Sequence, residues 1–353
     1  MRGGADGDVS GDDGGGKLMN ITFLIGNGFD LNLGLKTGYK DFYKYYLEKC
    51  PDDLIAKSIS NNYEYWSDLE LGLGKFVKNI SNNEVDNFFD SKENLDRSLA
   101  EYLKNEESRI DWKSISEIEK DFHKKLLNFF KDFNEIEKDI FLTYKTKTQK
   151  PLHYSFITFN YTNVLDNIVA ESKKRNPFAS HNGYNDIIDT PLHIHGTLSD
   201  GLIVGVDNIH QIENNTIKTN IRYSNYLTKT SMNETLGKNR IDKAKKILDE
   251  SCHICLYGLS IGETDKTWWQ YLVEWLSKDK HNRLVIFARD KELINNSATH
   301  EIRFRDKKRN FFLKMGMCLD DVQQNALQEQ IIVVPNSDIF TLPNLKLKEF
   351  ATN

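Results

Sequence analysis

Short apolar runs that stop at glycine or asparagine recur along the chain. Ile21-Thr22-Phe23-Leu24-Ile25 closes on Gly26-Asn27-Gly28, Ser155 to Phe159 on Asn160, Leu192 to Ile194 on His195-Gly196, and His253 to Tyr257 on Gly258. Leu284 to Phe287 and Ile331 to Val334 are two further runs of the same kind. An apolar run this short, bounded by turn residues, is the pattern of a strand buried on both faces. Polar stretches of helical length separate the runs. Strands alternating with helices predict an α/β fold built on a mostly parallel sheet covered on both sides.

From about residue 40 to 148 the pattern changes to long helical stretches without a convincing strand. Phe122, Leu126, Phe129, Phe133, Ile136 and Ile140 follow spacings of three and four, which predicts one apolar stripe on one amphipathic helix. Such a stripe reads as core or interface packing. The expected organisation is a nucleotide-binding domain over 19–39 and 149–353, interrupted by a helical insertion over 40–148. Residues 1–18 hold seven of the 21 glycines and almost no apolar side chains, so they read as a disordered tail or an expression scar.

Composition narrows the function. The chain has 353 residues with 39% hydrophobic and 28% charged side chains, which excludes a wholly disordered or collagen-like protein. Its formal charge of -5 includes a tail with four acidic residues against two basic ones, leaving a nearly neutral remainder. That balance gives no electrostatic ground for a nucleic-acid partner, which needs clustered Lys and Arg. No apolar run approaches the roughly 20 residues needed to span a bilayer, and no signal segment precedes the first strand, so a cytoplasmic location without a membrane partner is expected. Cys50, Cys252, Cys255 and Cys318 fit a reducing compartment. Cys252 and Cys255 lack the second pair that a structural zinc site needs, and both lie in an apolar run.

Half of the 14 glycines after residue 18 follow expected strands. In an open parallel sheet the carboxyl ends of the strands carry the ligand cleft, where glycine lets backbone N–H groups approach a phosphate. Gly26-Asn27-Gly28-Phe29-Asp30 lacks the third glycine of the dinucleotide fingerprint. Asp30 either accepts from a ribose hydroxyl or caps the following helix. Asn160 precedes Tyr161 and a helix for which Asn163 is the expected N-cap. Its carboxamide either orients a water or ribose hydroxyl in the cleft or stabilises the turn. His193 and His195, two apart on an expected strand, would share a face. Two imidazoles without a local carboxylate or thiol do not make a metal site. His195 is the candidate general base, and His193 a buried structural residue. Ser260, after Gly258, is placed to reach a ribose or phosphate. Thr264 and Asp265 are explained by capping of the next helix, and Trp268 and Trp269 by packing.

Five segments resemble the bacteriophage abortive-infection family AbiH: IGNGFDLNLGLKTGYKDF at Ile25 to Phe42, WSDLE at Trp66 to Glu70, TFNYTN at Thr158 to Asn163, LHIHG at Leu192 to Gly196 and LYGLSIGETD at Leu256 to Asp265. They span most of the chain after Met19. The same loops are similar, more remotely, to the sirtuin-type NAD-binding fold, which implies a Rossmann-like sheet. That resemblance implies that Asn160 and His195 are catalytic. It also implies that Gly26 and Gly28 are phosphate-loop residues, with Gly258 and Ser260 on the adenosine side; Asn27, Phe29, Asp30 and Tyr161, in the same loops, are expected to contact the nucleotide as well. Asn27 stands where sirtuin loops carry a small residue, and the missing four-cysteine zinc module argues against a protein deacylase.

Together these imply an anti-phage effector that cleaves the nicotinamide N-glycosidic bond of NAD, with NAD as substrate and no metal. Because nicotinamide leaves as a neutral group, the site needs only to stabilise an oxocarbenium-like centre and place a water. A nucleotide-binding sensor that engages a phage or host partner is the alternative; a nuclease fits less well, because no acidic metal-binding constellation accompanies a basic surface. An enzyme that drains NAD must be gated by a phage or host trigger, with the helical insertion or a homo-oligomer interface as the expected device.

Overall fold

A computed structural model describes residues 19–290, 297–317 and 319–349. The expected tail at 1–18 and Cys318 lie outside the described residues. All six apolar runs are strands, within the order β1 Asn20–Ile25, β2 His153–Thr158, β3 Ala179–His181, β4 Tyr184–Ile188, β5 Leu192–His193, β6 Gly196–Thr197, β7 Gly201–Leu202, β8 Ser251–Tyr257, β9 Arg283–Ala288 and β10 Ile331–Pro335. The main sheet runs β10-β9-β8-β1-β2-β4-β3, with β5 also on β2. Every pair is parallel except the β3–β4 hairpin. The fold is thus α/β with a mostly parallel sheet, as the apolar runs imply.

Alternate residues of the strands feed two cores, one on each face. Phe23, Ile25, Phe156, Val285 and Val334 pack against Phe122, Leu126, Ile168 and Phe340. Leu24, Ile157, Leu256, Ile286 and Val333 pack on the other face against Leu248, Trp269, Leu272, Trp275 and Phe312. Trp268 and Trp269 are therefore packing residues, and Cys252 and Cys255 are strand residues, as expected. No helix of the described residues is long and apolar enough to cross a membrane.

The stretch between β1 and β2 is helical throughout, but it divides between two cores. The helices Tyr39–Lys49, Leu54–Asn61, Leu69–Phe76 and Val85–Ser108 enclose a third core together with Val204, Val206, Ile217 and Leu227. The helices Ile115–Leu127 and Glu135–Lys147 instead cover the sheet through Phe122, Leu126 and Phe141. The expected single stripe is broken here. The first of these helices stops at Asn128, the next is capped by Asn134, whose carboxamide accepts from the Glu137 amide, and Ile136 ends 74% exposed. Phe129 and Phe133 stay buried because the turn between the helices folds them onto the sheet.

Strand β1 is where the chain changes direction across the sheet. It is flanked by β2 on one side and by β8, much later in sequence, on the other. Ile25 lies level with both Thr158 and Tyr257, so the three loops leave the sheet at one height. A crevice at such a switch point is the usual ligand position of an open parallel sheet. The β1 and β8 loops touch backbone to backbone: the Gly26 amide donates to the Tyr257 carbonyl at 2.9 Å, and the Gly28 amide to the Gly258 carbonyl at 2.8 Å. A Cβ on Gly28 would stand 2.4 Å from the Gly258 Cα. One on Gly258, whose φ is +68°, would stand 2.7 Å from the Phe29 nitrogen.

Gly258→Ala is therefore expected to cost about 2–4 kcal/mol, since it adds left-handed strain to an overlap with backbone that cannot swing away. Gly183→Ala is the control: φ is +83° but nothing lies within 4 Å of the added Cβ. Urea unfolding of the two variants should show the larger loss at Gly258, and equal losses would remove the close-packing explanation.

Candidate functional site

The carboxyl ends of β1, β2 and β8 open into a cavity of about 160 Å³, roofed by Leu99 and Leu103 of the helix Val85–Ser108. Of the ten residues expected to contact or act on a nucleotide, Gly26, Asn27, Asp30, Asn160, Tyr161, His195, Gly258 and Ser260 line it. Two do not. Phe29 is fully buried beneath the loop, edge-on to Phe340 at 5.4 Å, and Gly28 borders a second cavity. The loop amides also differ from a phosphate cradle. Those of Gly26, Gly28 and Phe29 all donate to backbone carbonyls of the protein, and the Asn27 side chain is tied to Thr37.

Asp30 sits in the first turn after β1, 1% exposed. It does not cap that helix; Asn27 occupies the cap position. Its Oδ2 accepts from the Thr162 hydroxyl at 2.7 Å, while its Oδ1 has no partner. Burial pushes its pKa up to about 7, against the opposing effect of the Thr162 hydroxyl. Asn160 lines the same cavity, 7% exposed; its side-chain amide helps hold the Asp30 pKa down, while its Oδ1 is likewise unpartnered. Two buried oxygens without donors in one small cavity are a demand for a ligand or ordered water, because such groups are costly to leave unsatisfied.

The two histidines diverge. Strand β5 ends at His193 and the chain bends at His195, so the shared face expected for them is not formed. His193 Nδ1 bonds to the Asn160 carbonyl at 2.9 Å and its Nε2 to Asp166 at 2.8 Å, which fixes the turn that carries Asn160. His195 is buried edge-on to Phe159, with Nε2 3.5 Å from Asp265. Burial, reinforced by the nearby Lys229 ammonium, lowers its pKa to about 3. The ring is neutral at physiological pH. Asn163 holds the expected cap position, but its side chain makes no capping bond.

The acidic wall was not legible in the sequence. Lys229 is buried and pairs with Glu70 at 2.7 Å and Asp265 at 3.1 Å, and it donates to the Thr264 carbonyl. Asp265 makes no capping bond to the helix Lys266–Lys278, so the capping expected of it gives way to this pairing. Asp68 caps the helix Leu69–Phe76, which delivers Glu70 to the cavity. Burial raises the Glu70 pKa, and the adjacent carboxylates keep Lys229 protonated. Glu70 was visible only as part of a family segment, and Lys229 carried no local signal at all.

Across Gly258, Leu259 and Ser260 lies the second cavity, about 340 Å³, lined also by Gly28, Phe287, Arg289, Lys308, Asn336 and Ser337. One side of the loop is thus edged by carboxylates and the other by cations.

Removing the Lys229 ammonium takes away the group that favours ionised Glu70, whose pKa burial already raises to about 8. Lys229→Met should cost about 3–5 kcal/mol. The deficit should be larger at pH 9, where the wild type ionises Glu70 beside the ammonium and the variant cannot, than at pH 6, where Glu70 holds its proton in both. Denaturant titrations at the two pH values test this, and an equal deficit at both would show that Glu70 does not depend on the ammonium.

No match was found among curated proteins. A family model described as bacteriophage abortive infection AbiH matches residues 22–287, from the first strand of the sheet to β9 and including every residue of the acid-lined cavity. The chain belongs to the AbiH family of bacteriophage abortive-infection proteins.

Proposed function

We propose that this abortive-infection protein acts by hydrolysing NAD at the nicotinamide N-glycosidic bond. The reading rests on one observation, the opposite charge of the two cavities that meet at Gly258–Ser260. NAD has a cationic nicotinamide-ribose end and an anionic diphosphate. The acid-lined cavity, with Asp30, Asp68, Glu70 and Asp265, favours the cationic end and the positive charge that grows at C1′ as the bond breaks. The cavity bearing Arg289 and Lys308 suits the diphosphate and adenosine. Counting β4 and β5 as one position, the parallel strands fall in the order 3-2-1-4-5-6 of a Rossmann-like sheet, which supports a dinucleotide lying across the switch point.

In this reading Asn160, with its free Oδ1, holds the attacking water or the ribose hydroxyls, and His195 contacts the reacting ribose as a neutral ring. The carboxylates face the developing cation. Nicotinamide departs with the electron pair of the broken bond and needs no acid.

A second reading, a cleft that binds a nucleotide without turning it over, is favoured by the size of the acid-lined cavity. At 160 Å³ it is smaller than most ligand pockets, and the amides of its first loop are already engaged.

Intracellular NAD during infection separates the two. Cells carrying the wild-type chain should lose NAD by at least about tenfold, while cells with Asn160→Ala or His195→Ala at equal expression keep it and lose phage restriction, as expected for groups that act at the reacting centre. Steady NAD in wild-type cells that still restrict phage would reject hydrolysis and favour the binding role.

A further inference from the structure

We infer that Asp30, rather than His195, takes the proton of the attacking water, acting through the carboxylate oxygen that no protein group occupies. The inference rests on the proposal that the cleft hydrolyses NAD. Asp30 Oδ1 and Asn160 Oδ1 are both buried, both unpartnered and both on the wall of the acid-lined cavity. A water between them would donate one hydrogen to each oxygen, which leaves its lone pair for attack. The Thr162 hydroxyl holds the other Asp30 oxygen at 2.7 Å and the Asn160 amide also interacts with the carboxyl, so the carboxylate is oriented while its Oδ1 keeps no hydrogen-bond partner. His195 has neither property. Its ring is hydrogen-bonded to the Phe159 backbone and faces Asp265, and its surroundings give it little affinity for a proton.

The charges that set Asp30 come from several elements. Beside burial, the Thr162 hydroxyl and, less strongly, the Asn160 amide, both on the loop after β2, favour ionisation, Glu107 on the helix Val85–Ser108 opposes it, and His193 at the end of β5 favours it more weakly. Glu70, Asp68 and Asp265 line the same cavity. Among the described residues no basic side chain pairs with Asp30; Lys229 is engaged by Glu70 and Asp265. A carboxyl titrating at about 7 is matched to accepting a proton at physiological pH, whereas an imidazole at about 3 is not. In the step itself, the water oxygen bonds to C1′ and the C1′–N bond breaks. Its electron pair neutralises the pyridinium nitrogen, and one water proton passes to Asp30, which releases it to solvent after product leaves.

The test uses the full chain, supplemented with lysate from phage-infected cells, and compares the wild type with Asp30→Asn and His195→Gln. Wild-type NAD cleavage should rise with pH to a plateau with a midpoint near 7. Asp30→Asn should lose that limb and at least about 100-fold of the plateau rate. His195→Gln, though slower, should keep the limb. A limb retained in Asp30→Asn, or lost in His195→Gln, would overturn the assignment.

A second measurement needs no turnover. Because the native carboxyl holds its proton up to about 7 and the unfolded one releases it near 3.8, the wild type loses stability as pH rises across that window. The melting temperature of Asp30→Asn relative to wild type should therefore climb between pH 5 and pH 8. A constant difference would show that Asp30 carries no proton near neutrality and would reject the inference. If that climb is seen but no NAD is cleaved, the hydrolysis reading fails and the base role falls with it, while the titration of Asp30 stands.

Discussion

The structure depends on a backbone-to-backbone contact at the centre of its sheet. The turns after β1 and β8 meet through Gly26, Gly28 and Gly258, at separations that leave no room for a Cβ. This contact sets the floor of the acid-lined cavity and the ridge between it and the cation-edged one, since Gly258 borders both. It also explains how glycines at strand ends can mislead. The sequence pattern suggests amides left open for a phosphate. In the fold, the amides of Gly26 and Gly28 fasten one loop to the other, and that of Phe29 closes its own turn on the Gly26 carbonyl. The glycines serve proximity first, and whatever enters the cleft meets side chains rather than an open nest of N–H groups.

Burial then does the electrostatic work. The helices from 39 to 108 have a core of their own, and their edge lies over the strand ends, so that Leu99, Leu103, Tyr39 and Glu70 close the cavity from above. Under that cover, three ionisable side chains take different states for one physical reason, the cost of a charge away from water. Asp30 is raised to about 7 and His195 lowered to about 3, whereas Lys229 keeps its charge because Glu70 and Asp265 flank it. The Lys229 cluster also joins three distant parts of the chain: the helix Leu69–Phe76, the helix Lys229–Thr235 and the loop after β8. A displacement of the helical layer would expose the carboxylates and loosen His195 together.

Much of the sheet was legible because its strands are buried on both faces and must be apolar throughout. Each run ended where Gly or Asn allowed the chain to turn, so the carboxyl edge could be located too. The β3–β4 hairpin was not anticipated, although Asn182-Gly183, with φ of 47° and 83°, carries the turn signal for it. The stripe from Phe122 to Ile140 misled because two consecutive helices can keep the same spacing of apolar residues across a break, and periodicity does not report the turn at 128–134. In the site, Asn160, Asp30 and His195 were found because they adjoin strand ends. Glu70 and Lys229 were not, because a buried ion pair between segments about 160 residues apart leaves no local pattern. Asp265 fitted a capping position so well that its real partner was hidden.

The charge of the cleft constrains its ligand more tightly than the fold does. A parallel sheet with a crevice at its switch point is compatible with many nucleotides. A cavity that places Asp30, Asp68, Glu70 and Asp265 around one space, lined by no Lys or Arg and with the neighbouring Lys229 already shared by Glu70 and Asp265, disfavours a bare phosphate there. An anionic nucleotide can be accommodated only if its phosphates lie elsewhere, and the cation-edged cavity beyond Gly258 offers that place. A ligand that satisfies both cavities must therefore be long enough to cross the ridge, anionic in the part nearer Arg289 and neutral or cationic in the part that reaches Asn160 and Asp30. Under the proposed reading, a mononucleotide with its phosphates among the carboxylates fits this arrangement poorly, and the two unpartnered oxygens are the protein groups nearest the proposed chemistry.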